Sequence, residues 1–503
     1  MKNKIIFLLL FSSIVFNQNQ IEPTYMATFG SVTMNGKVYN QFSFKPEFTT
    51  GKLGIGLDFY IYFDEDGNVY SKDWDFSSFE SSFKTLIDKI YYIRYGQPFN
   101  DLYFRIGALE KVTMGHGILI KNYANNMDYP QVRRLGFDFR YTFSDFRLEF
   151  IHSDLKEFSN GGLLGFRALV PIIPKFDLGL SLVTDLNQFG GLLDSDGDGY
   201  PDHVEPEWAD NPNQWYLYQE LNNLHQNLYD DLCELENSPP AYCTDLFNII
   251  DAGNNVFSID NQKNNVSGLA LDLTYEINDN IAIFSEFSQL LGDTDNPYSE
   301  SDELEKYISF DTKLGYGFIP IGVHMNFDAI TIVMDYRKSS ENFMFHYWDQ
   351  NYEHNRVNVS DDIITTKESL LYNYGKQEGA SFGFIANISK YLKFSISYMH
   401  LNGEKWDSEN YKKNKNNSFY SKFELDTSRI PKVDIAEIFY QQTNTAKPFD
   451  FKNNENTLIG YNFGIELADN MTLIFKGRKT YSMDTNGTYN AVKNTQIETS
   501  IYF

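Results

Sequence analysis

The chain has 503 residues, of which 42% are hydrophobic and 17% aromatic, with a mean hydropathy of −0.41 and a formal net charge of −26. That acid excess excludes the basic face a nucleic-acid partner demands. Helical membrane spans are excluded too, because each needs about 20 consecutive apolar residues and only one short run, at the N-terminus, comes near that.

Lys2 and Lys4 precede the apolar run from Ile5 to Phe16. A basic start followed by a short apolar segment predicts a secretory signal peptide over residues 1–20, with a buried N-terminal helix as the alternative. The first strand is expected near Thr24, which leaves no room for a plug domain ahead of it.

From there the sequence alternates. Leu53, Ile55, Leu57, Phe59, Ile61 and Phe63 form one face of a strand, with Gly54, Gly56 and Asp58 opposite. Leu135, Phe137, Phe139, Tyr141 and Phe143 form another, followed by Phe146, Leu148 and Phe150, then Phe176, Leu178, Leu180 and Leu182. Alternation over segments of roughly ten residues is the pattern of a barrel strand with a lipid face and a lumen face. A soluble sandwich also alternates, but its strands are shorter and fewer.

The same alternation sends Arg94, Arg105, Arg134, Arg140, Arg147 and Arg167 to the inner face, with Lys476 and Arg478 near the far end of the chain. Asp272, Glu286, Asp311 and Asp335 point inward from the other half. Opposed basic and acidic walls predict a transverse field across a pore, since charged rings are how such pores select. The alternative is a lumen filled by mutually satisfied ion pairs. His152, Ser153 and Asp154 are of catalytic type, but adjacent residues of a strand face opposite ways and cannot form one triad. No metalloprotease, nucleophile-elbow or phosphate-loop motif is present, so a non-enzymatic role is expected.

Residues 190–262 break the pattern. Asp194, Asp196, Asp198, Tyr200, Asp202 and Glu205 stand at the ligand spacing of a calcium loop, with Gly199 at the sharp turn. This stretch resembles an EF-hand loop and is also similar to the calcium repeats of thrombospondin type 3 modules. Pro201 and Pro206 depart from the EF-hand pattern. The resemblance implies a bound Ca2+; a solvated acidic turn is the alternative. Leu217, Leu221, Leu224, Leu228, Leu232 and Leu235 recur at helical spacing up to Pro239 and Pro240. Cys233 and Cys243 are close in sequence in an exported chain, and a disulfide is expected. A helical extracellular insert is therefore predicted within the barrel.

Further strands follow at 269–275, 382–398 and 459–467. Tight turns at 144–145, 172–175, 278–280, 389–390 and 468–470 alternate with longer connections at 154–162, 185–265, 291–305, 338–378 and 482–493. Bacterial barrels have short periplasmic turns and long extracellular loops. The final segment, Asn494 to Phe503, carries Ile497, Ile501 and Phe503 on one face. It resembles the C-terminal signal of Gram-negative outer-membrane β-barrels, weakened at Thr499, which implies recognition by the barrel-assembly machinery. Residues 107–123, rich in glycine and containing His116, resemble the constriction-loop segment of substrate-specific porins.

The expected fold is all-β: a transmembrane antiparallel up-and-down barrel of roughly 18 strands, between about 16 and about 20, over residues 21–503. The expected function is a porin-like outer-membrane channel for small polar or anionic solutes, capped by a calcium loop at the cell surface. The alternative is a structural or adhesive surface barrel with a filled lumen.

Overall fold

The computed structural model describes residues 22–34, 37–127, 132–157, 161–192, 201, 221, 223–229, 243, 259, 263–294, 312–360, 363–388, 392–407, 410–425, 427, 433–450, 456–483 and 489–502. Long strands of alternating polarity hydrogen-bond to their sequence neighbours. In chain order they are β1 (Glu22–Met34), β2 (Lys37–Thr50), β3 (Leu53–Leu57, resumed at Phe59–Phe63), β4 (Ile90–Tyr95), β5 (Leu102–Gly107), β6 (Gly136–Phe143), β7 (Phe146–His152), β8 (Leu163–Ile173), β9 (Phe176–Asp185) and β10 (Val266–Asn278). They continue as β11 (Ile281–Leu291), β12 (Tyr316–Phe327), β13 (Ile330–Ser339), β14 (Tyr374–Ile388), β15 (Leu392–Trp406), β16 (Tyr411–Leu425), β17 (Val433–Thr445), β18 (Thr457–Ala468), β19 (Met471–Met483) and β20 (Tyr489–Tyr502).

Every pairing in this sheet is antiparallel, and β1 closes on β20 with Met26 opposite Tyr502 and Val32 opposite Gln496. The sheet has 21 strand segments, two of which are the halves of β3 on either side of Asp58, so the described residues form a closed barrel of twenty strands. Closure leaves no long unpaired sheet edge. The expected count of about 18 falls short by two. The reason lies in β15–β17, where Lys412, Lys413, Asn414, Lys415, Asn416 and Asn417 make both faces of a strand polar and erase the alternation.

The polarity of the wall is inverted relative to a soluble protein. Leu180, Leu182, Leu269, Leu271, Phe287 and Phe382 are exposed on the outside, whereas Ser181, Asp272, Glu286, Ser288 and Asp335 are buried inside. One end of the barrel carries tight turns, at 51–52, 144–145, 174–175, 279–280, 328–329 and 469–470. Ser144 and Lys175 adopt the positive φ that such turns require. The other end carries the connections 64–89, 108–135, 153–162, 186–265, 292–315 and 340–373. Three connections at that end are short: 35–36, 407–410 and 484–488. The last replaces the longer connection expected at 482–493, because β19 and β20 extend past the point where outward apolar residues stop.

No helix among the described residues is long and apolar enough to cross a membrane, which says nothing against crossing by strands. Several expectations fall outside the described residues: the signal peptide over 1–20, the loop residues Asp194, Asp196, Asp198, Tyr200, Asp202 and Glu205, Cys233, Asp311 and Phe503. Of the insert, residues 223–229 are helical with Leu224 and Leu228 exposed, and Cys243 is buried.

Candidate functional site

Two long connections fold into the barrel instead of away from it. The segment 108–135 leaves β5 and makes a bridge between Val112 and Tyr123. Gly115 has φ +60, and a Cβ there would lie 3.0 Å from a carboxylate oxygen of Glu286, so glycine serves both the turn and the close approach to the wall. The neighbouring His116 backbone N–H donates to Glu286 Oε2 at 2.7 Å. The His116 ring lies flat on Phe284, with centroids 3.9 Å apart, and its Nε2 is 2.9 Å from Thr274 Oγ1. Burial holds the His116 imidazole down to about 4, although nearby Asp272 pulls the other way.

The second inward segment is 340–373. Ile120 and Trp348 form a parallel bridge between the two segments. His346 N–H donates to Ile118 O at 2.7 Å, Trp348 N–H to Leu119 O at 3.0 Å, and Lys121 N–H to Trp348 O at 3.1 Å. Around this seam Leu109, Met114, Ile118, Leu119, Ile120, Tyr123, Phe343, Phe345, Tyr347, Trp348 and Tyr352 pack into one cluster with inner-wall residues Val183, Val266, Ala270 and Ile319. Gly268 on β10 makes the seat possible, since a Cβ there would meet Leu119 Cδ1 at 2.9 Å and Trp348 at 3.2 Å. A fully buried large apolar side chain contributes roughly 2–3 kcal/mol, against about 1 kcal/mol for a hydrogen bond, so the aromatic packing dominates the seam.

Polar anchors fix the position of this packed body. Tyr352 Oη donates to Asp185 Oδ2 at 2.7 Å and Arg356 Nη1 to the same oxygen at 3.2 Å. Tyr347 Oη donates to Gln188 Oε1 at 2.8 Å. On the far wall Arg478 Nη1 donates to Asn126 O at 2.8 Å, and Met127 packs with Phe439 and Leu458. The two segments therefore bridge the lumen from the β8–β14 side to β17–β19.

The acidic inward residues lie under this body. Asp272 accepts from Arg167 at 2.5 and 2.9 Å. Asp335 accepts from Arg337 at 2.5 and 3.0 Å, and Arg337 Nη1 lies 2.6 Å from His346 Nε2. Asp272, Glu286, Asp335 and Arg337 are all buried. A buried charge without a partner costs several kcal/mol, which explains the pairing of acids with arginines. Asp272 and Asp335, expected on an acidic wall facing water, are thus covered and paired with Arg167 and Arg337, while buried Glu286 accepts from the His116 N–H and the Ser288 hydroxyl.

The remaining arginines differ. Arg94, Arg105, Arg140 and Arg147 follow one another on β4–β7, with Arg94 opposite Arg105 and Arg140 opposite Glu149. Arg140 pairs with Asp138 at 3.1 Å and Arg147 with Glu149 at 2.9 Å, and their side chains keep 27% and 37% exposure. Arg94 donates to Gly96 O at 2.9 Å, and Arg105 lies 5.7 Å from the Tyr92 ring. Lys476, on β19, pairs with Glu498 at 2.5 Å. Arg134 departs from the sequence expectation. It precedes β6, in the inward segment, and its Nε reaches Glu353 Oε2 at 3.3 Å. Strand alternation does not apply to it, because the strand has not begun.

Sequence reasoning missed the second inward segment. Its signal was present: the run Phe343–Tyr352 holds five aromatic residues inside an otherwise polar connection. Arg337 was also missed, although it sits two residues from Asp335 on the same face.

No protein-family model and no curated protein matches the chain. Among solved structures it is similar to OccK11 (OpdR) of Pseudomonas aeruginosa, at 8% identity, TM-score 0.32, over 96% of this chain and 95% of that one. It is similar to OccK3 (OpdO) of the same organism at 8% identity and TM-score 0.36, over 96% of each chain. It is also similar to the outer membrane protein OprD from Pseudomonas aeruginosa, at 10% identity and TM-score 0.32, over 96% of this chain and 92% of that one.

Proposed function

We propose that this chain is a bacterial outer-membrane channel through which small polar solutes, anions above all, diffuse passively past the two inward segments. The observation that carries the reading is the set of inward arginines on β4–β7 that stays open to water, with Arg140 at 27% and Arg147 at 37% exposure. Ion pairs this exposed are worth roughly 0.2–1 kcal/mol, so a passing carboxylate or phosphate replaces the protein's own partner at little cost. Supporting it, barrels of 16–18 strands leave an aqueous channel, and twenty enclose more. The inverted polarity of the wall supports a lipid surround, because an apolar outer face and a polar interior are what a membrane barrel needs.

In this reading the tight-turn end is periplasmic and the long connections lie at the cell surface. The last strand is the one the barrel-assembly machinery reads. The insert at 190–262 holds Ca2+ on Asp194, Asp196, Asp198, Tyr200, Asp202 and Glu205, with Cys233 joined to Cys243.

One observation favours the rival reading of a structural or adhesive surface barrel: the aromatic cluster that crosses the lumen. Single-channel recording of the purified protein in planar bilayers separates the two. The channel reading expects stepwise conductance with anion selectivity. A barrel that stays silent at every voltage leaves the structural reading.

A further inference from the structure

The barrel wall is incomplete near β4. The second half of β3, Phe59–Phe63, has a strand partner only in β2, because β4 begins only at Ile90, opposite Leu57, and on the other side only Phe63 is bridged, to Val69. β4 and β5 have six residues each. The wall is therefore notched at its long-loop end, and the free side of β3 presents unpaired backbone groups. The connection 64–89 covers them. The Trp74 indole donates to Tyr60 O at 3.0 Å, Tyr70 N–H donates to Tyr62 O at 2.9 Å, and Asp58 N–H donates to Lys89 O at 2.8 Å.

After a 3-10 turn at Ser71–Trp74, that connection contains one α-helix, α1 (Phe79–Asp88), capped at its start by Ser78 and Ser81 in a reciprocal pair of hydrogen bonds. Its polar stripe faces the protein. Thr85 Oγ1 donates to Asp75 O at 2.8 Å, Asp88 accepts from Tyr60 Oη and from Lys156 at 3.1 Å, and the adjoining Lys89 donates to Asp73 O at 2.9 Å. Its apolar stripe faces out. Phe79, Phe83 and Leu86 are 89%, 55% and 63% exposed, and Phe76 just before the helix continues the line. Each apolar position is two residues from a polar one, about 200° around a helix, so the two stripes lie on opposite faces. A helix on a water-facing surface packs the other way round.

We propose that α1 fills the notch as a helical piece of the lipid-facing wall, with Phe79, Phe83 and Leu86 dipped into the acyl chains of the surrounding leaflet. The occupant is lipid because α1 runs directly into β4, whose outward Tyr91 is exposed, and is tied through Asp88 to Tyr60 of β3, whose outward Phe59 and Ile61 are exposed too. The polar stripe satisfies the free edge of β3, and the apolar stripe restores the outer surface that a full-length β4 would have given. This inference rests on the membrane reading of the barrel.

The test places a tryptophan reporter in the full chain, reconstituted in vesicles of phosphatidylcholine with or without brominated acyl chains. Phe83→Trp and, as a second variant, Leu86→Trp report on α1. Leu180→Trp reports on the outer face of β9, and Asp66→Trp on the tip of the same connection. The emission added by Phe83→Trp or Leu86→Trp is expected to be lost in brominated vesicles, as for Leu180→Trp, and to survive aqueous acrylamide. Asp66→Trp is expected to do the reverse. If the Leu180 reporter is lipid-quenched while both α1 reporters are quenched only by acrylamide, α1 is in water and the inference falls. If both α1 reporters resist both quenchers and the protein runs as a dimer, a second copy covers the stripe and the inference falls as well. If the Leu180 reporter also ignores brominated lipid, the membrane reading itself fails.

Discussion

The inner wall along β4–β7 and the inner wall along β8–β13 are built alike, from charged side chains at alternate positions, yet they end in different surroundings. On the first, Arg140 and Arg147 pair with neighbours two residues away and keep contact with water. On the second, Asp272, Glu286, Asp335 and Arg337 are sealed beneath the packed segments 108–135 and 340–373. Strand alternation decides only which side of the wall a charge faces. What covers that side is decided elsewhere in the chain, and it sets whether an ion pair is an exchangeable contact or a fixed part of the core.

The contrast breaks most directly at the seam. Trp348→Ala removes a fully buried indole and is expected to cost about 3–5 kcal/mol of local stability, releasing both segments. Conductance in planar bilayers is expected to rise several-fold, and limited proteolysis is expected to cut within 340–373. An unchanged conductance would mean that the seam does not obstruct the lumen. Arg337→Ala tests the covered side by leaving Asp335 buried without its partner, at about 3 kcal/mol or more. Denaturant unfolding followed by tryptophan emission reads this loss, and an effect within about 0.5 kcal/mol would show that the patch is not sealed.

Acidification should loosen the same side. The His116 imidazole sits at about 4 in the packed state, below its ordinary 6.5, because burial disfavours its charge. The released state therefore binds the proton more readily. The contribution of neutral His116 to the packing is full above pH 6.5 and is lost as pH falls from 6.5 towards about 4, with a limit of order 3 kcal/mol. Protease sensitivity of 108–135 measured across that range checks the sign, and His116→Phe is expected to flatten the profile.

On the open side the effects on stability are small and those on selectivity are not. Arg140→Glu or Arg147→Glu is expected to change stability by under about 1 kcal/mol while shifting the reversal potential in a salt gradient towards cations. A shift no larger than that of an outward substitution would remove these arginines from the permeation path. The smallest effect on the barrel is expected from calcium removal. Chelation should expose the region around 194–205 to protease and leave the barrel intact, because an ion stabilises only the state that binds it.

Much of the wall was legible in the sequence. The alternation at 53–63, 135–150, 176–182 and 269–275 reads directly as strands, and it placed Arg94, Arg105, Arg140, Arg147, Asp272, Glu286 and Asp335 on the inner face. A period of two residues leaves no other choice once one face must be apolar. The tight turns at 144–145 and 279–280 were equally plain. Arg134 and the second inward segment were not, because neither belongs to a periodic element.

The amino-acid sequence by itself determined that this chain is a closed antiparallel barrel with an apolar outside, since local alternation and turn chemistry act over a few residues. Only the tertiary structure decided what the lumen contains. Ile118 and Trp348, or His116 and Glu286, meet across more than a hundred residues of chain, and such contacts depend on where closed strands bring their connections. The same holds for α1, whose apolar stripe is visible in the residues but whose outward direction is fixed only by the short β4 and the notch beside it.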